Sequence, residues 1–105
     1  MKTQLCCAAL VCLLLAAPTA LAETIQIKIN DLAFSPTEAT AKVGDMVEWM
    51  NADFVDHTAT DKAGAWDLAI PAGKSAQLKL TNPGTFAYYC KVHPVMTGTI
   101  RVDTK

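Results

Sequence analysis

The sequence predicts an all-β domain preceded by a short leader. Two patterns carry this reading. Residues 25–29 and 76–80 alternate apolar with polar side chains, the two-residue period of a half-buried strand. Turn signals such as Val43-Gly44-Asp45, Pro71-Ala72-Gly73-Lys74 and Asn82-Pro83-Gly84 recur between the alternating stretches. No segment after the leader keeps a long 3.6-residue period. Short strands at this spacing belong to a sandwich or a barrel.

Each element follows from its residues. Ile25, Ile27 and Ile29 face one way and Gln26, Lys28 and Asn30 the other, giving a first strand. Ser35-Pro36 breaks the chain, and Thr37 to Lys42 reads as a weaker, edge-type strand. Val47 and Trp49 alternate with Glu48 in a strand over residues 46–51. A short extended stretch is expected at residues 57–60. The rest of residues 52–68 lacks periodicity and reads as loop, with Asp53, Asp56, Asp61 and Asp67 on a solvated face. Ala76, Leu78 and Leu80 mark the next strand. Phe86 and Tyr88 share the inner face of a strand over 85–89. Ile100 and Val102 point inward from the last, over 98–102. Trp49 and Trp66 read as core aromatics, and Met46 and Met50 as core fillers.

Residues 1–22 read as a cleavable secretory signal peptide. Lys2 gives the positive start, Leu5 to Ala17 the apolar run, and Ala20-Leu21-Ala22 the small-residue cleavage site. The apolar run is too short for a membrane span. Cleavage leaves residues 23–105, which is 83 residues and one domain. Such a chain buries only about 60–65% of its unfolded surface, so a bound metal would be a useful staple. Removing Lys2 leaves eight basic against ten acidic residues. No dense basic run supports nucleic-acid binding. Of four cysteines only Cys90 remains, because Cys6, Cys7 and Cys12 leave with the leader. A lone cysteine in an oxidising compartment is paired between chains, reactive or ligated.

Cys90-Lys91-Val92-His93-Pro94-Val95-Met96 gives that cysteine its partners. A thiolate, an imidazole and a thioether recur at three-residue steps in one loop. Soft sulfur with imidazole suits copper, and two His, one Cys and a weak axial Met make a blue-copper site. The remaining imidazole must be His57, the only other histidine. Taken singly, Cys90 would be a small buried hydrophobe, His93 a surface histidine, His57 an ordinary loop residue and Met96 core filler. The spacing is what joins them.

Residues 44–51, Asp56-His57-Thr58 and the run from Pro83 to Gly98 together resemble the cupredoxin family. The Cys-x2-His-x2-Met spacing with proline after the histidine is most similar to the amicyanin branch; plastocyanins and pseudoazurins carry a longer His-to-Met interval. The resemblance implies a two-sheet Greek-key β-sandwich with copper at one end. It implies His57, Cys90 and His93 as equatorial ligands and Met96 as the axial one. It implies that Thr58, where many relatives carry Asn, ties its loop to the cysteine loop near Lys91. It also implies an apolar docking patch including Pro94 and Val95, redox partner proteins such as a dehydrogenase donor and a cytochrome acceptor, and a monomer in the periplasm.

Three other functions use the same residues. A periplasmic copper chaperone or storage protein would hold Cu(I) on the same donors and pass on the ion. A cysteine enzyme would pair Cys90 with a histidine base, which leaves Met96 without a purpose. Structural zinc draws on at least two cysteines, and one is available.

Overall fold

The computed structural model describes residues 21–105. Most of the expected leader lies outside them. Nine strands make up the described chain: β1 (Thr24–Asn30), β2 (Ala33–Ser35), β3 (Glu38–Lys42), β4 (Met46–Asn51), β5 (His57–Asp61), β6 (Asp67–Ile70), β7 (Ser75–Lys79), β8 (Gly84–Tyr89) and β9 (Thr97–Asp103). They form two sheets, one ordered β2-β1-β4-β7 and the other β3-β9-β8-β5-β6. The chain changes sheet at β2–β3, β3–β4, β4–β5, β6–β7 and β7–β8. The all-β, two-layer architecture anticipated above is the one observed. No described helix is long and apolar enough to cross a membrane.

Alternation puts one face of each strand into a common core. Ile27 and Ile29 of β1, Val47 and Trp49 of β4, Tyr88 of β8, and Ile100 and Val102 of β9 are all buried there. Each large apolar side chain so buried contributes about 1.5–3 kcal/mol. Aromatic rings fill the middle. Tyr88 meets Phe34 edge-on at 4.7 Å between centroids and Trp49 at 5.5 Å. Gly98 stands opposite Tyr88 across the β8–β9 ladder. A Cβ at that position would lie 2.5 Å from the Tyr88 ring and hydroxyl, so only glycine fits.

Several expectations need correction. β2 and β6 are strands that periodicity did not signal. β2 is three residues long and folds back on β1 through the two-residue turn Asp31-Leu32, both at positive φ (52° and 59°). That is the backbone of a tight hairpin, normally announced by Asn-Gly or Asp-Gly. Residues 52–68 are mostly loop, as expected, with the extended stretch at residues 57–60 forming β5; the start of β6 also lies there and pairs antiparallel with it. The acidic residues there are not a plain solvated face. Asp61 is buried and its carboxylate accepts the Ala65 N–H at 2.8 Å, closing the β5–β6 turn. Asp56 accepts the Ala72 N–H at 2.9 Å. Met50 is exposed on the outer face of β4 rather than filling the core. Trp66 packs at the margin of the core, partly buried.

Candidate metal centre

The four sequence-predicted donors meet at one end of the sandwich. β8 and β9 are an antiparallel pair whose last paired residues are Tyr89 and Thr97. The segment Cys90–Met96 is therefore the connection of a hairpin, and its short reach is what keeps Cys90, His93 and Met96 together. The loop is closed by backbone bonds of its own. Cys90 N–H donates to the Met96 carbonyl at 3.1 Å, and Met96 N–H donates to the His93 carbonyl at 2.9 Å. Cys90 and Met96 are buried members of the core, so the protein rather than solvent fixes them. His57 opens β5, next to β8 in the same sheet.

The cysteine sulfur lies 3.7 Å from His57 Nδ1 and 3.9 Å from His93 Nδ1. The ligand atoms of the three residues all fall within 4.8 Å of one another. A trigonal ion bound at about 2.0 Å to nitrogen and about 2.3 Å to sulfur separates N from S by about 3.7 Å. The triangle is thus the right size for one metal ion, and its donors are two imidazoles and a thiolate, the set that suits copper.

Neighbouring groups hold two of the donors, His57 and Cys90, in their ligating form. Asp53 Oδ2 lies 2.9 Å from His57 Nε2. A carboxylate can only accept, so Nε2 carries the hydrogen and Nδ1 keeps its lone pair toward the sulfur. The Leu32 N–H bond, with the His57 side chain and the Asp31 N–H, holds the Asp53 carboxyl below the usual carboxylate range against its burial. Thr58 N–H donates to the Cys90 sulfur at 3.3 Å. Burial pushes the Cys90 thiol up. The Thr58 N–H, the two neighbouring imidazoles, which can take up the thiol's proton, and the His93 N–H outweigh it and bring the value down to about 6. A thiol so poised is ready to ligate as thiolate.

The donor loop also carries exposed apolar residues. Val95 is 91% exposed, and Val92 beside His93 is exposed as well. Phe54 is fully exposed and lines one shallow depression with Leu32, Val55 and half-buried His93.

A family model described as a cupredoxin-like domain matches residues 5–102 of the chain. The chain belongs to the cupredoxin-like family. Among relatives, amicyanin-alpha of Methylorubrum extorquens is 32% identical over 88 residues, covering 78% of this chain and 74% of that protein. Plastocyanin of Prochlorothrix hollandica is 34% identical over 107 residues, covering 87% and 82%. A solved Cu(I) form of an amicyanin variant superposes with a TM-score of 0.68 at 27% identity, covering 76% of this chain and 82% of that one. In this cupredoxin the hydroxyl of Thr58 accepts the Lys91 N–H at 2.8 Å, so the tie between the two ligand-bearing segments is present with threonine in place of asparagine.

Sequence reasoning passed over three residues that hydrogen-bond donors or their neighbours: Asp53, Thr60 and Asp67. The sequence places Asp53 and Asp67 on a solvated face, whereas in the structure they bond His57 and Thr60. The signal available was spacing: Asp53 lies four residues before His57, and Thr58 and Thr60 alternate on one face of β5.

Proposed function

We propose that this cupredoxin is a periplasmic type 1 copper protein that carries single electrons between redox partner proteins, with His57, Cys90 and His93 as equatorial ligands and Met96 as the axial one. The observation that carries the reading is the donor triangle with sulfur-to-nitrogen edges of 3.7 and 3.9 Å. Bound copper would supply a one-electron couple. The protein's own part is to hold the donors still. Asp53 orients His57, Thr58 N–H steadies the Cys90 sulfur, and the backbone bonds of the loop fix Met96 against Cys90. A frame that moves little between oxidation states reorganises little, which favours rapid electron transfer. Cys90, His57 and Met96 are buried, so with His93 they would close around one ion with little room for a substrate. This supports a carrier over an enzyme. It also favours a carrier over a chaperone, which must release its ion.

His93 faces the exposed depression formed by Leu32, Phe54 and Val55, so electrons would enter and leave through its ring where partners dock on the apolar patch. A dehydrogenase donor and a cytochrome acceptor fit the resemblance to amicyanin, and the chain acts as a monomer. Residues 1–22 would direct export and be removed, leaving residues 23–105 as the working domain.

The test is the visible and EPR spectrum of the purified protein with one equivalent of Cu(II), beside Cys90→Ala. An intense thiolate-to-copper charge-transfer band that vanishes in Cys90→Ala supports the reading. A colourless protein, or a copper signal indifferent to Cys90, overturns it in favour of Cu(I) handling or thiol chemistry.

A further inference from the structure

A closed ring of hydrogen bonds lies on the far side of Thr58 from the metal centre. Lys91 N–H donates to Thr58 Oγ1 at 2.8 Å. Thr58 Oγ1 and Thr60 Oγ1 are 2.9 Å apart. Thr60 Oγ1 donates to Asp67 Oδ1 at 2.8 Å. Asp67 Oδ2 accepts from Lys91 Nζ at 2.6 Å, which returns the ring to the residue where it began.

The direction of every hydrogen in this ring is determined. Asp67 is an acceptor, since the Lys91 ammonium beside it holds its carboxyl below the usual range. The single hydroxyl hydrogen of Thr60 therefore goes to Asp67. Thr60 has none left for Thr58, so the Thr58 hydroxyl must donate to Thr60. That fixes the Thr58 rotor with a lone pair toward Lys91 N–H. Hydrogen bonds that run head to tail strengthen one another. Meanwhile Thr58 N–H points at the Cys90 sulfur, one residue before Lys91. Thr58 thus grips the ligand and its neighbour together, and Thr60 and Asp67 set the orientation of the grip.

We propose that Thr60 and Asp67 are positioning residues for the Cys90 ligand, acting through Thr58 and Lys91 to fix where the sulfur stands. The proposal rests on Cys90 being a metal ligand and extends the site to β6, beyond the contact between Thr58 and Lys91. The ion pair that closes the ring contributes little to stability, because Lys91 and Asp67 are both about half exposed.

The decisive variant is Thr60→Val, which keeps the shape of the side chain and removes the hydroxyl. In the metal-free protein the Lys91 amide should exchange its hydrogen several-fold faster than in the parent, because Thr58 Oγ1 is free to turn away. In the copper-loaded protein the charge-transfer band and the EPR hyperfine coupling should shift. Thr60→Ser, which keeps the hydroxyl, should restore both. Asp67→Ala, which removes the terminal acceptor, should shift both readouts in the same direction as Thr60→Val. If Thr60→Val lowers only the melting temperature and leaves amide exchange and spectra at parental values, the ring is structural and the proposal falls. A parent protein with no charge-transfer band would instead strike the metal-ligand reading itself, and that result is read before any variant is made.

Discussion

Asp53 joins two unlike parts of the molecule: it accepts His57 Nε2–H at 2.9 Å and, with the same carboxylate, the backbone N–H groups of Asp31 and Leu32 at 2.8 and 3.0 Å. Leu32 sits at φ 59°, a conformation that disfavours a side-chain-bearing residue by roughly 1–2 kcal/mol. The carboxylate offsets that strain and at the same time orients a buried donor. The β1–β2 turn at the rim of the apolar depression and the innermost imidazole are therefore held by one group.

Two variants separate the roles of Asp53. Asp53→Asn keeps an acceptor but loses the charge that favours the Nδ1-ligating form of His57. Copper affinity should fall by about 10–100-fold. Asp53→Ala should show that loss and also destabilise the metal-free chain by about 1–3 kcal/mol, since the turn N–H groups lose their acceptor. Chelator competition reads the first effect and chemical denaturation the second. Parental affinity in Asp53→Ala would detach this carboxylate from the site.

Acid should unfold the metal-free protein partly through Asp45. Its carboxylate accepts the Glu23 N–H and the Lys42 N–H, both at 2.9 Å, and these bonds hold it below the ordinary 3.8. A carboxyl lowered in the folded state contributes stability above its unfolded value and loses it as pH falls through the folded one. Stability should be level from neutral pH to about pH 5 and drop below about pH 4. Asp45→Asn should be less stable than the parent at pH 7, with the gap narrowing by pH 3. A gap that stays constant over that range would mean that the charge of Asp45 contributes nothing.

Gly98→Ala should be the most damaging single-methyl change near the site. The new Cβ would lie 2.5 Å from the Tyr88 ring, which is itself wedged against Phe34 and Trp49. Overpacking of this kind costs about 1–3 kcal/mol. Tyr88 is two residues before Cys90, so the strain should also broaden the copper EPR signal. Thermal unfolding and EPR together check this, and an unchanged melting temperature would show that Tyr88 has room to move.

Val95→Lys tests the docking patch without a known partner. Electron self-exchange requires two copies to meet through the same surface. Val95, 91% exposed on the donor loop, would then bring like charges together. Self-exchange, measured from NMR line widths in mixtures of oxidised and reduced protein, should slow on the order of tenfold at low salt and recover as salt screens the charge. The visible spectrum should not change. An undiminished rate would place the encounter surface elsewhere.

The donor set was legible because its information is local. Three of the four donors fall within seven residues, and the chain holds no other histidine than His57 for the fourth. The long strands were legible for the same reason, since Ile25-Ile27-Ile29 and Val47-Trp49 announce a face. What escaped notice depends on partners distant in sequence. β2 is too short to show a period and is held by Asp53, more than twenty residues away. Asp67 looks like any loop acid until Thr60 and Lys91 are seen around it. Buried carboxylates such as Asp61 likewise earn their place through backbone N–H groups, which leave no trace in residue identity.

The β8–β9 hairpin has an evolutionary consequence. Connections between strands are where chains accept insertions, deletions and rapid substitution. Here the connection itself carries the cysteine, one imidazole and the thioether, while His57 is anchored in the sheet. Descendants of this chain can vary Val92, Pro94 and Val95, the exposed residues between the donors, and with them the face shown to partners, while inheriting the sandwich unaltered. Selection on partner choice can thus act on three exposed loop residues, while the donors themselves, Cys90 and Met96 in the core and His57 in the sheet, stay tied to the fold.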